Sequence, residues 1–161
     1  MTVPNPPRLH SIAVGVDDSP ESLFALELAA AIGTPQQAAL AIVHVRPKPK
    51  SFGFGPAGSV EYAQALDEID SRVAAEAAHR LVGYPGTWSV VIRSGNVGQE
   101  LLAVADEVNA DLVVVGHRSH GTVHDAILGS TAAGTVHHSH RSVLVAVPPQ
   151  AATATDATDG S

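Results

Sequence analysis

Five short runs of Val, Ile, Leu and Ala, separated by stretches long enough to be helices, constrain this chain more than any other feature. They are residues 9–16 (LHSIAVGV), 39–45 (ALAIVHV), 88–93 (WSVVIR), 111–115 (DLVVV) and 142–147 (SVLVAV). Each is too short for a core helix and is flanked by Gly, Pro, Asn, Asp or Ser, so each reads as a strand. Most are apolar throughout, the pattern of strands covered on both faces in parallel sheets.

The intervening stretches carry helix signals. Ser19 and Pro20 supply an N-cap and a first helical residue for a helix reaching Ile32, which Gly33-Thr34-Pro35 stops. Between residues 60 and 82 the positions Leu66, Ile69, Val73, Ala77 and Leu81 recur at spacings of three and four, one face of an amphipathic helix. Residues 83–86 end it. Asn96-Val97-Gly98-Gln99 resembles a capping box for a helix to Val108, and a last helix is expected over 130–138. Residues 46–59, rich in Pro, Gly and Lys, read as a loop. Strand and helix thus alternate, and right-handed crossovers fold such a series into a doubly wound five-stranded parallel sheet with helices on both faces. Ligands in these sheets sit outside the carboxyl ends of the strands where strand order reverses. The chemistry is therefore expected just after the first and fourth strands.

Composition narrows the function. With 161 residues the chain suits one domain, expected over 8–148, with residues 1–7 and the Ala, Thr and Asp tail at 149–161 expected to be disordered. Hydrophobic residues make up 45% and aromatics only 4%, so the core must be aliphatic. A net charge of −7 opposes binding to a phosphate backbone, which draws on clustered Lys and Arg. The chain has no cysteine, which removes disulfides, thiolate metal sites and Cys nucleophiles. Residues 1–8 lack the apolar run of a signal peptide and no stretch is long enough to span a bilayer, so a soluble cytoplasmic protein is expected.

The most informative segment joins the fourth strand to the last helix: Gly116-His117-Arg118-Ser119-His120-Gly121-Thr122, then residues 123–128, then Gly129-Ser130-Thr131. Long ordered connections in compact domains are often functional. Glycines allow close backbone approach, and a helix opening at Ser130 offers free amides and a dipole to a phosphate. The plainer reading is that Gly116 makes a turn and Gly129-Ser130 caps a helix. Residues 116–122 have the glycine spacing of a P-loop without its Lys, and no G-x-G-x-x-G follows the first strand.

A strand ending in Val-Val-Gly, then G-x2-G-x9-G-[ST], a helix and a final Val-Leu-Val strand is the carboxyl-terminal signature of universal stress proteins, and residues 114–147 resemble it in order and spacing. Asp17 after the first strand and Ile42-Val43-His44-Val45 in the second resemble the same family, so the similarity runs from about Arg8 to Pro148. The resemblance implies an adenine nucleotide alpha hydrolase-like sheet with strand order 3-2-1-4-5. It implies ATP, alone or with Mg²⁺, as the ligand, with AMP or cyclic AMP as alternatives because the adenosine wall does not fix the phosphate count. On this likeness Gly15, Val16 and Asp17 would line the adenosine wall and the Val45 backbone would meet the adenine edge. Val115 and Gly116 would pass beneath the ribose, and Arg118, Ser119, Gly129, Ser130 and Thr131 would surround the phosphates. The family also implies a homodimer through the final strand, where Val143, Leu144, Val145 and Val147 would otherwise form an exposed apolar edge.

Several residues keep two readings. Ser119 stands where the pattern has its second glycine: its Cβ disfavours positive φ and crowds a phosphate, while its hydroxyl can donate a hydrogen bond. Asp17 can serve the ligand or satisfy backbone amides of the turn. Six of the nine histidines fall between His117 and His140, but only His120 and His124 have helical i, i+4 spacing, with Asp125 as the one acidic neighbour. His137-His138 resembles a surface pair in the family's last helix. Residues 46–59, with Lys48, Lys50, Phe52 and Phe54, read as a solvated loop or as a flap over the nucleotide. No Ser-His-Asp order, nucleophile elbow or paired-carboxylate site is visible, so a nucleotide-binding regulator with at most slow ATP hydrolysis is the first expectation. A dimeric interaction protein of the same fold without nucleotide binding is the second, favoured by Ser119.

Overall fold

The computed structural model describes residues 5, 7–46, 48, 56–117 and 129–149. Strands β1 (Ser11–Gly15), β2 (Ala39–Arg46), β3 (Trp88–Ser94), β4 (Leu112–Gly116) and β5 (Ser142–Ala146) form one sheet in the order β3-β2-β1-β4-β5. Every pairing is parallel, as the apolar runs require. Strand β1 is trimmed at both ends relative to the expected 9–16, although the Val16 amide still donates to the Val43 carbonyl at 2.8 Å.

Helices α1 (Pro20–Gly33), α2 (Pro56–Arg80), α3 (Val97–Glu107) and α4 (Ser130–His138) fill the gaps between strands. Ser19 caps α1 by accepting the Ser22 amide at 3.3 Å, and Asn96 caps α3 by accepting the Gln99 amide at 3.1 Å. Helix α2 starts at Pro56 rather than at residue 60, because proline suits the first turn of a helix, where its missing N–H has no intrahelical partner. The expected loop over 46–59 is correspondingly shorter, since Arg46 ends β2. Of its marked residues, Lys50, Phe52 and Phe54 lie outside the described residues.

Alternation along the strands sends side chains into two core layers. Ile12, Val14, Leu40, Ile42 and Val114 meet Leu26, Val73, Ala77 and Leu81 of α1 and α2. Ala13, Ala41, Val43, Val113 and Val115 meet Leu101, Val104 and Ala132 of α3 and α4. Burying each of the Val, Leu and Ile side chains contributes about 1.5–3 kcal/mol. The two layers hold the sheet from both sides and leave the carboxyl ends of β1 and β4 adjacent, the point where strand order reverses.

Strand β5 lies at one edge of the sheet. Its apolar residues are less exposed than an unpaired edge suggests: Val143 and Val145 pack partly on one layer and Leu144 partly on the other. Val147, just past the strand, is 60% exposed.

Candidate functional site

The turn after β1 is held by its own side chains. Asp17 Oδ1 accepts the Ser19 amide at 2.8 Å, which fixes the chain just before α1. The buried Ser22 hydroxyl donates to the carbonyls of Asp17 and Ser19 at 2.9 and 3.0 Å and accepts the Asp17 amide at 3.0 Å. Of the two readings for Asp17, the turn role is thus present in the structure, and the residue also faces the cavity described below.

Gly116 ends β4 against the first turn of α1. A Cβ there would lie 2.7 Å from the Glu21 carbonyl carbon and oxygen and 3.0 Å from the Ser22 nitrogen. Only glycine lets β4 approach α1 this closely, which gives Gly116 a packing role beside any ligand. Gly15 is less demanding, since its Cβ would meet the tip of the Leu101 side chain at 3.2 Å.

Between these strand ends opens a cavity of about 790 Å³, a size usual for small-molecule sites. Nine of the eleven residues expected at the site line it: Gly15, Val16, Asp17, Val45, Val115, Gly116, Gly129, Ser130 and Thr131. Arg118 and Ser119 lie outside the described residues. Helix α4 opens into the cavity with Gly129 as its N-cap and no side-chain cap among the described residues, so its first amides and dipole face the space. Val43, Val97 and Leu101 form an apolar floor, and Tyr62, Leu66 and Ile69 of α2 form the opposite wall. Asp17, Asp18 and Glu21 also line the cavity, whereas no Lys or Arg does among the described residues.

Residues that sequence reasoning passed over lie on the α2 side. His44, inside the apolar run of β2, is 5% exposed and its Nδ1 lies 2.9 Å from the Val16 carbonyl oxygen. Asp70 of α2, 8% exposed, bonds to Arg46 Nε at 2.9 Å and to the same guanidinium's terminal nitrogen. Arg46 also bonds to Asp67 at 2.8 Å. Asp70 and then Asp67 hold the Arg46 guanidinium protonated beyond its ordinary range. The available signal was positional: Asp70 follows Ile69 and precedes Val73 by three, on the apolar face of the helix.

No group of three or more His, Cys, Asp and Glu able to hold a metal ion occurs among the described residues. His120, His124 and Asp125 lie outside them, while His137 and His138 are exposed on α4. Among the described residues no helix is long and apolar enough to cross a membrane.

The sequence pattern of the universal stress protein family matches residues 9–147. Universal stress protein A homolog 1 of Coxiella burnetii is 31% identical over 137 residues, 83% of this chain and 92% of the relative. A universal stress protein of Mycolicibacterium smegmatis is 30% identical over 143 residues, and there the match spans only 47% of the relative. Among solved structures, UspA from Lactobacillus plantarum superposes with a TM-score of 0.72 at 24% identity, covering 87% of this chain and 99% of the other. A universal stress protein in complex with cAMP gives a TM-score of 0.59 at 27% identity, covering 86% and 97%. One from Arabidopsis thaliana with AMP bound gives 0.66 at 17%, covering 91% and 96%. Matched over residues 9–147, and with the parallel sheet and strand order that go with it, this chain belongs to the universal stress protein family.

Proposed function

We propose that this chain binds an adenine nucleotide in the cavity at the carboxyl edge of its sheet and acts in the cytoplasm as a stress-response regulator whose occupancy alters its contacts. The observation that carries the reading is the convergence on one cavity of the β1 end, the β4 end and the amino terminus of α4, which has no side-chain cap among the described residues. Gly15, Val16 and Asp17 face the adenosine and the Val45 backbone meets the adenine edge. Val115 and Gly116 lie beneath the ribose, with Gly129, Ser130 and Thr131, joined by Arg118 and Ser119, around the phosphates. Relatives of the same fold hold cAMP and AMP, which supports an adenine ligand. Any ATP hydrolysis is slow, since no positioned base or nucleophile is assigned.

The charge of the wall bears on the phosphate count. Asp17, Asp18 and Glu21 repel added phosphates, so ATP requires countercharge from Mg²⁺ or Arg118, whereas AMP and cAMP require less. Calorimetry with ATP, AMP and cAMP, each with and without Mg²⁺, tests the reading: saturable heat with at least one supports it. No binding by any of them at about millimolar concentration, equivalent to a free energy weaker than about −4 kcal/mol, overturns it. The outcome then left is the non-nucleotide interaction protein. In either case a homodimer through the β5 edge is expected, because an edge unpaired among the described residues, with Val147 exposed, invites a second copy.

A further inference from the structure

Alternate residues of β2 send their backbone hydrogen bonds to opposite neighbours. The Ala39 amide donates to the His10 carbonyl and the Val43 carbonyl accepts the Val16 amide, both at 2.8 Å, so the odd-numbered residues of β2 turn toward β1. The Leu40 amide donates to the Thr87 carbonyl and the Arg46 carbonyl accepts the Gly95 amide, so the even-numbered residues turn toward β3. Val45 belongs to the first set. In an unbroken ladder its amide would donate to the Val16 carbonyl and the pairing would extend to Val16 and His44.

That rung is missing. The β1–β2 register ends at Gly15 and Val43, and the Val16 carbonyl oxygen lies 2.9 Å from His44 Nδ1 instead. A carbonyl only accepts, so Nδ1 donates, as it can in a neutral or a charged ring. His44 alternates onto the face of Leu40 and Ile42, so its ring draws the Val16 carbonyl out of the plane of the sheet and off the line to the Val45 amide. The N–H and C=O of Val45 are thereby left without a backbone partner among the described residues. Val45 is 7% exposed and lines the cavity. Buried backbone groups are almost always paired, so an unmatched donor and acceptor on a cavity wall point to a ligand.

We infer that His44 is a positioning residue for base recognition: by holding the Val16 carbonyl it stops the ladder one rung short and leaves the N–H and C=O of Val45 to read the edge of the ligand. The ligand class that fits is a ring with a donor beside an acceptor, as the amino group and ring nitrogen of adenine provide. Hypoxanthine, with the sugar held in the same place, sets an oxygen where the amino group stood and meets the Val45 carbonyl with a second acceptor. This selectivity rests on the adenine reading; the missing rung does not.

Amide hydrogen exchange followed by NMR on the full chain without nucleotide tests the ladder. The wild-type Val45 amide exchanges much faster than that of Val43, and in His44→Ala it becomes protected as the rung to Val16 closes. A Val45 amide as protected as that of Val43 in the free wild type overturns the inference, and so does exchange at Val45 that His44→Ala leaves unchanged. Calorimetry with AMP and inosine monophosphate tests the reading of the base. The wild type prefers AMP by at least about tenfold, His44→Ala loses about tenfold in AMP affinity and most of the preference, and His44→Asn, whose amide can donate in place of Nδ1, keeps both. Equal affinity and preference in the wild type and His44→Ala overturn the inference. Should His44→Ala not fold, His44→Met, which fills the space without a donor, replaces it in both experiments. A wild type that binds neither nucleotide bears on the proposed function alone, and hydrogen exchange then decides whether His44 stops the ladder.

Discussion

Asp17 Oδ1 accepts the Ser19 amide at 2.8 Å, so the residue that faces the cavity also builds the turn that leads into α1. The two roles separate by substitution. Asp17→Asn retains an acceptor for Ser19 and should leave stability within about 0.5 kcal/mol of wild type while weakening nucleotide binding about tenfold. Asp17→Ala should weaken binding similarly and also lose about 1 kcal/mol of stability, as other local side-chain to backbone bonds do. Urea unfolding and calorimetry on both variants check this; equal stability of the two would remove the turn role.

Gly116 and Gly134 make a paired test of packing. The Cβ of Gly116→Ala would press on the Glu21 backbone at 2.7 Å, which cannot swing aside, so a loss of about 1–3 kcal/mol is expected. Gly134 lies within α4 with nothing within 4 Å of an added Cβ, and Gly134→Ala should stabilise by about 0.5–1 kcal/mol. Chemical denaturation of the two variants reads both signs in one experiment.

Leu101 is fully buried in the α3 layer and also forms the cavity floor beneath Gly15. Leu101→Ala should cost about 2–5 kcal/mol, the range for a buried leucine, and weaken nucleotide binding by lowering the floor. A thermal melt with and without nucleotide measures both.

Asp111 supplies the acid-side pH dependence. Its carboxylate accepts the His10 and Ser11 amides at 2.7 and 3.0 Å, and these bonds, the His10 one foremost, hold it below the usual carboxylate range. A carboxylate lowered in the folded state contributes stability above its unfolded value near 4, and loses it as pH falls below about 4 toward the lower folded value. The group is exposed, so the contribution is below about 1 kcal/mol. Denaturation midpoints between about pH 5 and about pH 2 should fall less steeply in Asp111→Asn than in wild type.

Sedimentation tests the edge. A homodimer at micromolar concentration is expected, and Val147→Lys, which places a charge at the exposed position just past β5, should shift it toward monomer. A monomeric wild type would remove the dimer.

The alternation of apolar runs with capped helices determined the architecture from the sequence, because strand burial, Ser19, Pro20 and Asn96 are local signals that agree with one another. The same order of elements pointed to the cavity that Gly15, Asp17, Gly116 and Gly129 line, since in a doubly wound sheet connectivity decides where the strand ends meet. Tertiary structure alone decided which space each residue serves. Gly116 looked like a turn or a ligand approach, yet its missing Cβ is filled by α1, a contact nearly a hundred residues away in the chain. His44 stood in the sequence only as part of a family-like run and Asp70 carried no reading at all; the two became neighbours only when α2 crossed β2. Period and capping are written within a few residues, whereas a buried polar contact depends on distances between elements that no local pattern encodes.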